Sequence, residues 1–212
     1  MRAAVGERAG NRLLEVVAVV LLGVATVGSA WCGYQATRWN GEENDLSRQS
    51  AALQVEAARQ FGVATQTVSY DSNMLSQYAN ATAAGDEALM RFYRETLLRP
   101  EILPVVERWE ADIAAGGTPH NLLDDEAYLD DQLEPYRATT ATATDLADQA
   151  AEAGDHADEY VLTTLVLASA LFFAGLTTSF RVRLARLLLL VGSSLLVAYA
   201  ASRLTQLGVA SR

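Results

Sequence analysis

The stretch Leu13-Leu14-Glu15-Val16-Val17-Ala18-Val19-Val20-Leu21-Leu22-Gly23-Val24-Ala25-Thr26-Val27-Gly28-Ser29-Ala30-Trp31-Cys32-Gly33-Tyr34-Gln35-Ala36-Thr37-Arg38-Trp39 decides how the chain is read. Between Arg12 and Arg38 its single charge is Glu15, near the start. A helix of about 20 apolar residues crosses a bilayer, and this run meets that length. It is expected to be a membrane span. Two further runs follow the same logic. Residues 161–180 carry no charge. Leu187 to Ser202 is shorter and reaches full length when Arg203 snorkels to the interface.

Charge divides the chain sharply. The net charge of −10 is the sum of −16 over residues 38–159, where 24 carboxylates face 8 arginines, and +6 over the rest. The middle segment is therefore expected to be an acidic domain in water, for which nucleic acid is a poor partner. All 16 basic residues are arginine and none is lysine, which together with the alanine-rich text suggests a GC-rich bacterial gene.

Arg2, Arg8 and Arg12 precede the first span, and Arg181, Arg183 and Arg186 fill the link between the second and third. The positive-inside rule puts both groups in the cytoplasm and the acidic segment on the far side of a plasma membrane. The expected layout is an all-α, multi-pass protein with three transmembrane helices and an extracytoplasmic helical stalk between the first and second. Its parts are a cytoplasmic N-terminus (1–12), spans at 13–36, 160–180 and 187–207, the acidic domain (37–159), a basic loop (181–186) and an outer C-terminus (208–212).

Trp31, Tyr34 and Trp39 are expected to form an aromatic belt at the outer interface. That belt favours a retained anchor over a signal peptide cleaved after Gly28-Ser29-Ala30. Cys32 follows Trp31, where a lipoprotein signal requires a small residue. Ala25, Ser29 and Gly33, continued by Thr37 and Gly41, recur every four residues and are expected to form a helix-packing face.

The segment Trp31-Cys32-Gly33-Tyr34-Gln35-Ala36-Thr37-Arg38-Trp39 resembles the end of the first span in a group of uncharacterised bacterial inner-membrane proteins with a W-x-x-Y-Q-x-x-x-W pattern. The resemblance implies a helical extracytoplasmic segment and a terminal pair of spans, and brings no activity with it.

Within the acidic segment, Leu46, Ser50, Leu53, Ala57, Phe61, Ala64, Val68, Leu75, Tyr78 and Thr82 approximate a 4,3 repeat and predict one long helix continuing from the first span. Gly85 should end it and Asp86 should cap the next helix. That second helix is expected to kink or break at Pro100 and Pro104 and to stop at Gly116-Gly117. A short helix from about Leu122 to Leu133 and a last one opening at Pro135 complete an up-down-up-down stalk. From Tyr136, Thr139, Ala143, Leu146, Ala150, Ala153, Ala157, Tyr160 and Thr164 keep the 4,3 spacing into the second span. This alanine-rich seam buries little area, so a second copy or another membrane protein is expected to complete it.

Chemistry-bearing motifs are sparse. Six carboxylates lie within residues 124–134, without the glycine turn of a calcium loop, and read as a solvated helix face. His120, His156 and Cys32 have no metal-ligand spacing, and no glycine-rich phosphate loop or nucleophile elbow occurs. No catalytic, cofactor or metal residue is assigned. Glu15 and Arg203 lie near span ends, where snorkelling accommodates them. The chain is expected to be a non-enzymatic scaffold or accessory subunit that meets membrane lipid and itself or another membrane protein. The alternative is a sensor or channel component.

Overall fold

The computed structural model describes residues 2–117, 124–180 and 182–210, with side chains from Arg12 onward, Leu13 excepted. Among these the chain is helical throughout. Five α-helices follow one another: α1 (Arg2–Ala84), α2 (Glu87–Phe92), α3 (Leu103–Ala114), α4 (Glu126–Leu176) and α5 (Arg183–Leu204). A π-turn (Tyr93–Leu97) and a 3-10 turn (Pro100–Ile102) join α2 to α3. Three helices, α1, α4 and α5, contain stretches long and apolar enough to cross a membrane. The chain packs as two compact units, Met1–Arg48 with Leu146–Arg212, and Gln49–Asp145.

The first unit is a three-helix bundle. The beginning of α1, the end of α4 and the whole of α5 bury Ala25, Cys32, Ala36, Tyr160, Leu167 and Ala200 together. Ala18, Ala25 and Cys32 recur every seven residues on α1, as do Ala153, Tyr160, Leu167 and Ala174 on α4. Small residues on such a seam bring helix backbones close, which is how packing is won where lipid removes the hydrophobic drive. Ser193 Oγ donates to the Ala170 carbonyl at 2.9 Å, a buried hydrogen bond between α5 and α4. Large apolar residues such as Val16, Val19, Val27, Leu165, Phe172 and Leu188 point outward.

Within the bundle only part of the expected packing face is used. Ala25 is buried, Ser29 half-buried, and Gly33 is exposed with nothing within 4 Å of where its side chain would start. Steps of four residues rotate about 40° on a helix and fan away from a contact line, whereas steps of seven drift only about 20°.

In the second unit Ser50, Ala57, Ala64, Asp71 and Tyr78 are all buried at seven-residue intervals along α1. Ser50 Oγ donates to the Ala143 carbonyl of α4 at 2.8 Å. α1 stops as expected: Gly85 takes φ +69°, where a side chain is strained. The Asp86 carboxylate then accepts the Leu89 N–H at 3.0 Å and caps α2.

The prolines break the helix, and the chain reverses there. Arg99, fixed in extended backbone before Pro100, lets α3 fold back on the α2 segment. Arg94 on the first arm accordingly meets both carboxylate oxygens of Glu110 on the second, at 2.8 and 2.9 Å. Leu75, Tyr78, Leu98, Ile102, Val105, Val106, Trp109 and Tyr128 form the apolar core around this hairpin. Each Val, Leu or Ile so buried contributes about 1.5–3 kcal/mol, so this unit holds more core than its alanine seam suggests. The helices expected at 122–133 and from Pro135 are one, because α4 runs through Pro135. Pro135 and Asp131 both face solvent, where a carbonyl left without its N–H partner is open to water. The beginning of the expected short helix, with His120, lies outside the described residues.

Candidate functional site

Three clusters place charged or hydrogen-bonding side chains inside the bundles. The most enclosed is in the second unit. Asp71 is fully buried. Arg99 Nε donates to its Oδ1 at 3.0 Å, Arg99 Nη2 to Oδ2 at 2.7 Å, and the Tyr128 hydroxyl to Oδ2 at 2.5 Å. Arg99 also reaches Gln132 Oε1 at 3.3 Å. The forked guanidinium suits a carboxylate, and both Asp71 oxygens are satisfied. Burial, and then the hydrogen bond to the Asp71 carboxylate, push the Tyr128 hydroxyl well above the usual phenol range. The same carboxylate holds the Arg99 guanidinium still more firmly protonated.

Beside it lies a polar groove of about 380 Å³ lined by Arg59, Gln60, Thr67, Arg99, Asp131 and Gln132. Above it, the Tyr78 hydroxyl donates to Glu110, and burial followed by that bond raises the Tyr78 phenol. Asp125 accepts the Tyr128 N–H at 3.0 Å and pairs with Arg108. The acidic run at 124–134 is thus only partly a solvated face, since Asp125 and Tyr128 turn inward. Asp71, Arg99, Tyr128 and Glu110 are thus engaged with one another or with near neighbours, whereas Gln60 Oε1 is buried beside the groove without a hydrogen-bond partner among the described residues.

The second cluster closes the first unit at the end expected to face outward. Trp39 Nε1 donates to the Gly208 carbonyl at 3.2 Å, and the Tyr160 hydroxyl donates to the same oxygen at 2.9 Å. The Ala210 N–H reaches Gln35 Oε1 at 3.2 Å. Arg203 pairs with Glu159 at 3.0 Å, and the Trp39 ring lies 4.6 Å from the His156 ring. Trp39 therefore clasps the segment after α5, while Trp31 and Tyr34 lie exposed as neighbours 6.0 Å apart.

The third cluster lies at the opposite end of that unit, where α1, the turn after α4 and α5 enclose a cleft of about 300 Å³. Glu15 and Arg186 both line it. Arg12 and Arg183 are exposed at the same end. Arg181 and the side chain of Arg8 lie outside the described residues.

Among these residues the sequence pointed to Trp39, Glu15, Arg186 and Arg203, and missed Asp71, Arg99 and Tyr128. One signal was available: Asp71 occupies the repeat position between Val68 and Leu75, where a charge is out of place. Among the described residues no group of three or more His, Cys, Asp or Glu could hold a metal ion. Comparison with protein-family models, curated proteins and solved structures finds no match for the chain.

Proposed function

We propose that the chain is a three-span bacterial plasma-membrane protein of structural or interaction type, a scaffold or accessory subunit without catalytic activity of its own. Its N-terminus and the Arg181–Arg186 link are cytoplasmic and residues 37–159 form an extracytoplasmic stalk. The observation that carries this reading is α1 itself, one uninterrupted helix of 83 residues that passes from an apolar into an acidic sequence. In the second unit the exposed Val55 lies on α1 away from its own seam and presents apolar area to another helix.

Two of the three spans, on α1 and α4, continue without a break into the acidic segment. That continuity favours a second reading, a sensor or channel component in which helix tilt is passed across the membrane.

Two measurements test the proposal. In a Cys32→Ala background, Val55→Cys should cross-link in native membranes, either to a second copy or to a chain that co-purifies in mild detergent. A monomer without cross-link or companion overturns the scaffold reading. A membrane-impermeant maleimide on intact cells should label Glu134→Cys, and protection until lysis overturns the orientation.

A further inference from the structure

The cleft at the arginine-rich end of the first unit combines an apolar floor with two opposite charges that do not meet each other. Ala18, Leu22 and Leu190 form part of the floor, and Glu15, Thr178 and Arg186 stand on the rim. Its volume of about 300 Å³ is at the lower end of small-molecule sites. Among the described residues the Glu15 carboxylate makes no hydrogen bond and no ion pair. Arg186 commits Nε to the Phe180 carbonyl at 2.7 Å and keeps its two terminal nitrogens. Thr178 donates its hydroxyl proton back to the Gly175 carbonyl at 2.8 Å, so toward the cleft its oxygen offers only lone pairs.

The rim thus presents an acceptor pole, Glu15 with Thr178, and a donor pole, Arg186. The complementary guest carries a phosphate for the guanidinium, a hydrogen-bonding cation for the carboxylate, and a hydrocarbon chain for the floor. We infer that this cleft binds one phospholipid with a primary-amine headgroup, of the phosphatidylethanolamine class, with its phosphate on Arg186 and its ammonium on Glu15. The inference rests on the membrane reading of the three helices. A choline headgroup has no N–H to give Glu15. A glycerol headgroup brings an anionic phosphate but no cation, and leaves Glu15 facing net negative charge. Arg12 and Arg183 do not line the cleft, so their general attraction for anionic lipid acts outside it.

The test uses the full-length protein in mild detergent with one added lipid at a time, phosphatidylethanolamine, phosphatidylglycerol or phosphatidylcholine of identical acyl chains. Native mass spectrometry counts the lipid retained. The wild type should hold one phosphatidylethanolamine at least tenfold more tightly than either other lipid. Glu15→Gln should remove that preference, and Arg186→Gln should weaken retention of all three. Equal retention of the three lipids, a preference for phosphatidylglycerol, or unchanged selectivity in Glu15→Gln overturns the site. Val19→Trp keeps both charges, stands outside the buried seam and narrows the cleft. It should abolish retention in a protein of unchanged helicity, and serves if a rim variant fails to fold. Carbonate extraction of the same preparations reports separately on membrane integration, so failure of the lipid site and failure of the membrane reading give different results.

Discussion

Asp71 carries a strong electrostatic interaction in the second unit, because it has no contact with water and three donor groups converge on it. Removing one partner of such a pair strands a charge in the interior, which costs about 3–5 kcal/mol. Arg99 keeps 31% of its side chain exposed, so Asp71→Ala should fall at the lower end, about 3 kcal/mol, in a denaturant melt followed by helical signal. Asp71→Leu with Arg99→Leu should recover part of that loss. Tyr128 and Tyr78 make the unit sensitive to alkali. Their phenols ionise later in the folded chain than in the unfolded one. Above pH of about 10 the unfolded state therefore gives up protons that the folded state keeps, and stability falls as pH rises. Below that pH the contribution is fully present. Tyrosinate absorbance should reveal phenols that titrate only on unfolding, fewer of them in Tyr128→Phe; normal titration of every tyrosine in the folded protein would contradict this.

At the scale of elements, α1 and α4 owe their length to different causes. α1 contains no proline, and its glycines 23, 33, 41 and 62 sit in open space, where they lower propensity without breaking the hydrogen-bond ladder. Only Gly85, at φ +69°, ends it. Gly85→Ala should cost about 1–2 kcal/mol, read as a lower thermal midpoint. α4 persists in spite of Pro135, at the cost of one backbone hydrogen bond. Pro135→Ala restores the donor and should raise stability by about 1–2 kcal/mol. A loss would mean that the proline sets a bend the packing requires. The reversal at Arg99 and Pro100 is a third device. It turns a segment too short for a stable solitary helix into two arms that share a core with Tyr78 and Trp109.

At the scale of the molecule, a clasp at one end of the first unit and a cleft at the other bound its three-helix bundle. The clasp is testable: Trp39→Phe removes the N–H donated to Gly208 and Tyr160→Phe removes the hydroxyl. Each should cost about 1 kcal/mol, and carboxypeptidase should trim the double variant past Gly208 faster than the wild type. The three apolar stretches, the stop at Gly85, the cap at Asp86 and the seven-residue seams of α4 and of α1 in the second unit are determined by sequence alone, because each depends on hydropathy, on backbone strain or on a period within one helix. The reversal at Pro100, the passage of α4 through Pro135, the exposure of Gly33 and the meeting of Asp71, Arg99 and Tyr128 were decided only by tertiary structure. These depend on which surfaces find each other across 28 and 57 residues of chain, and such contacts leave no period in a single helix to read.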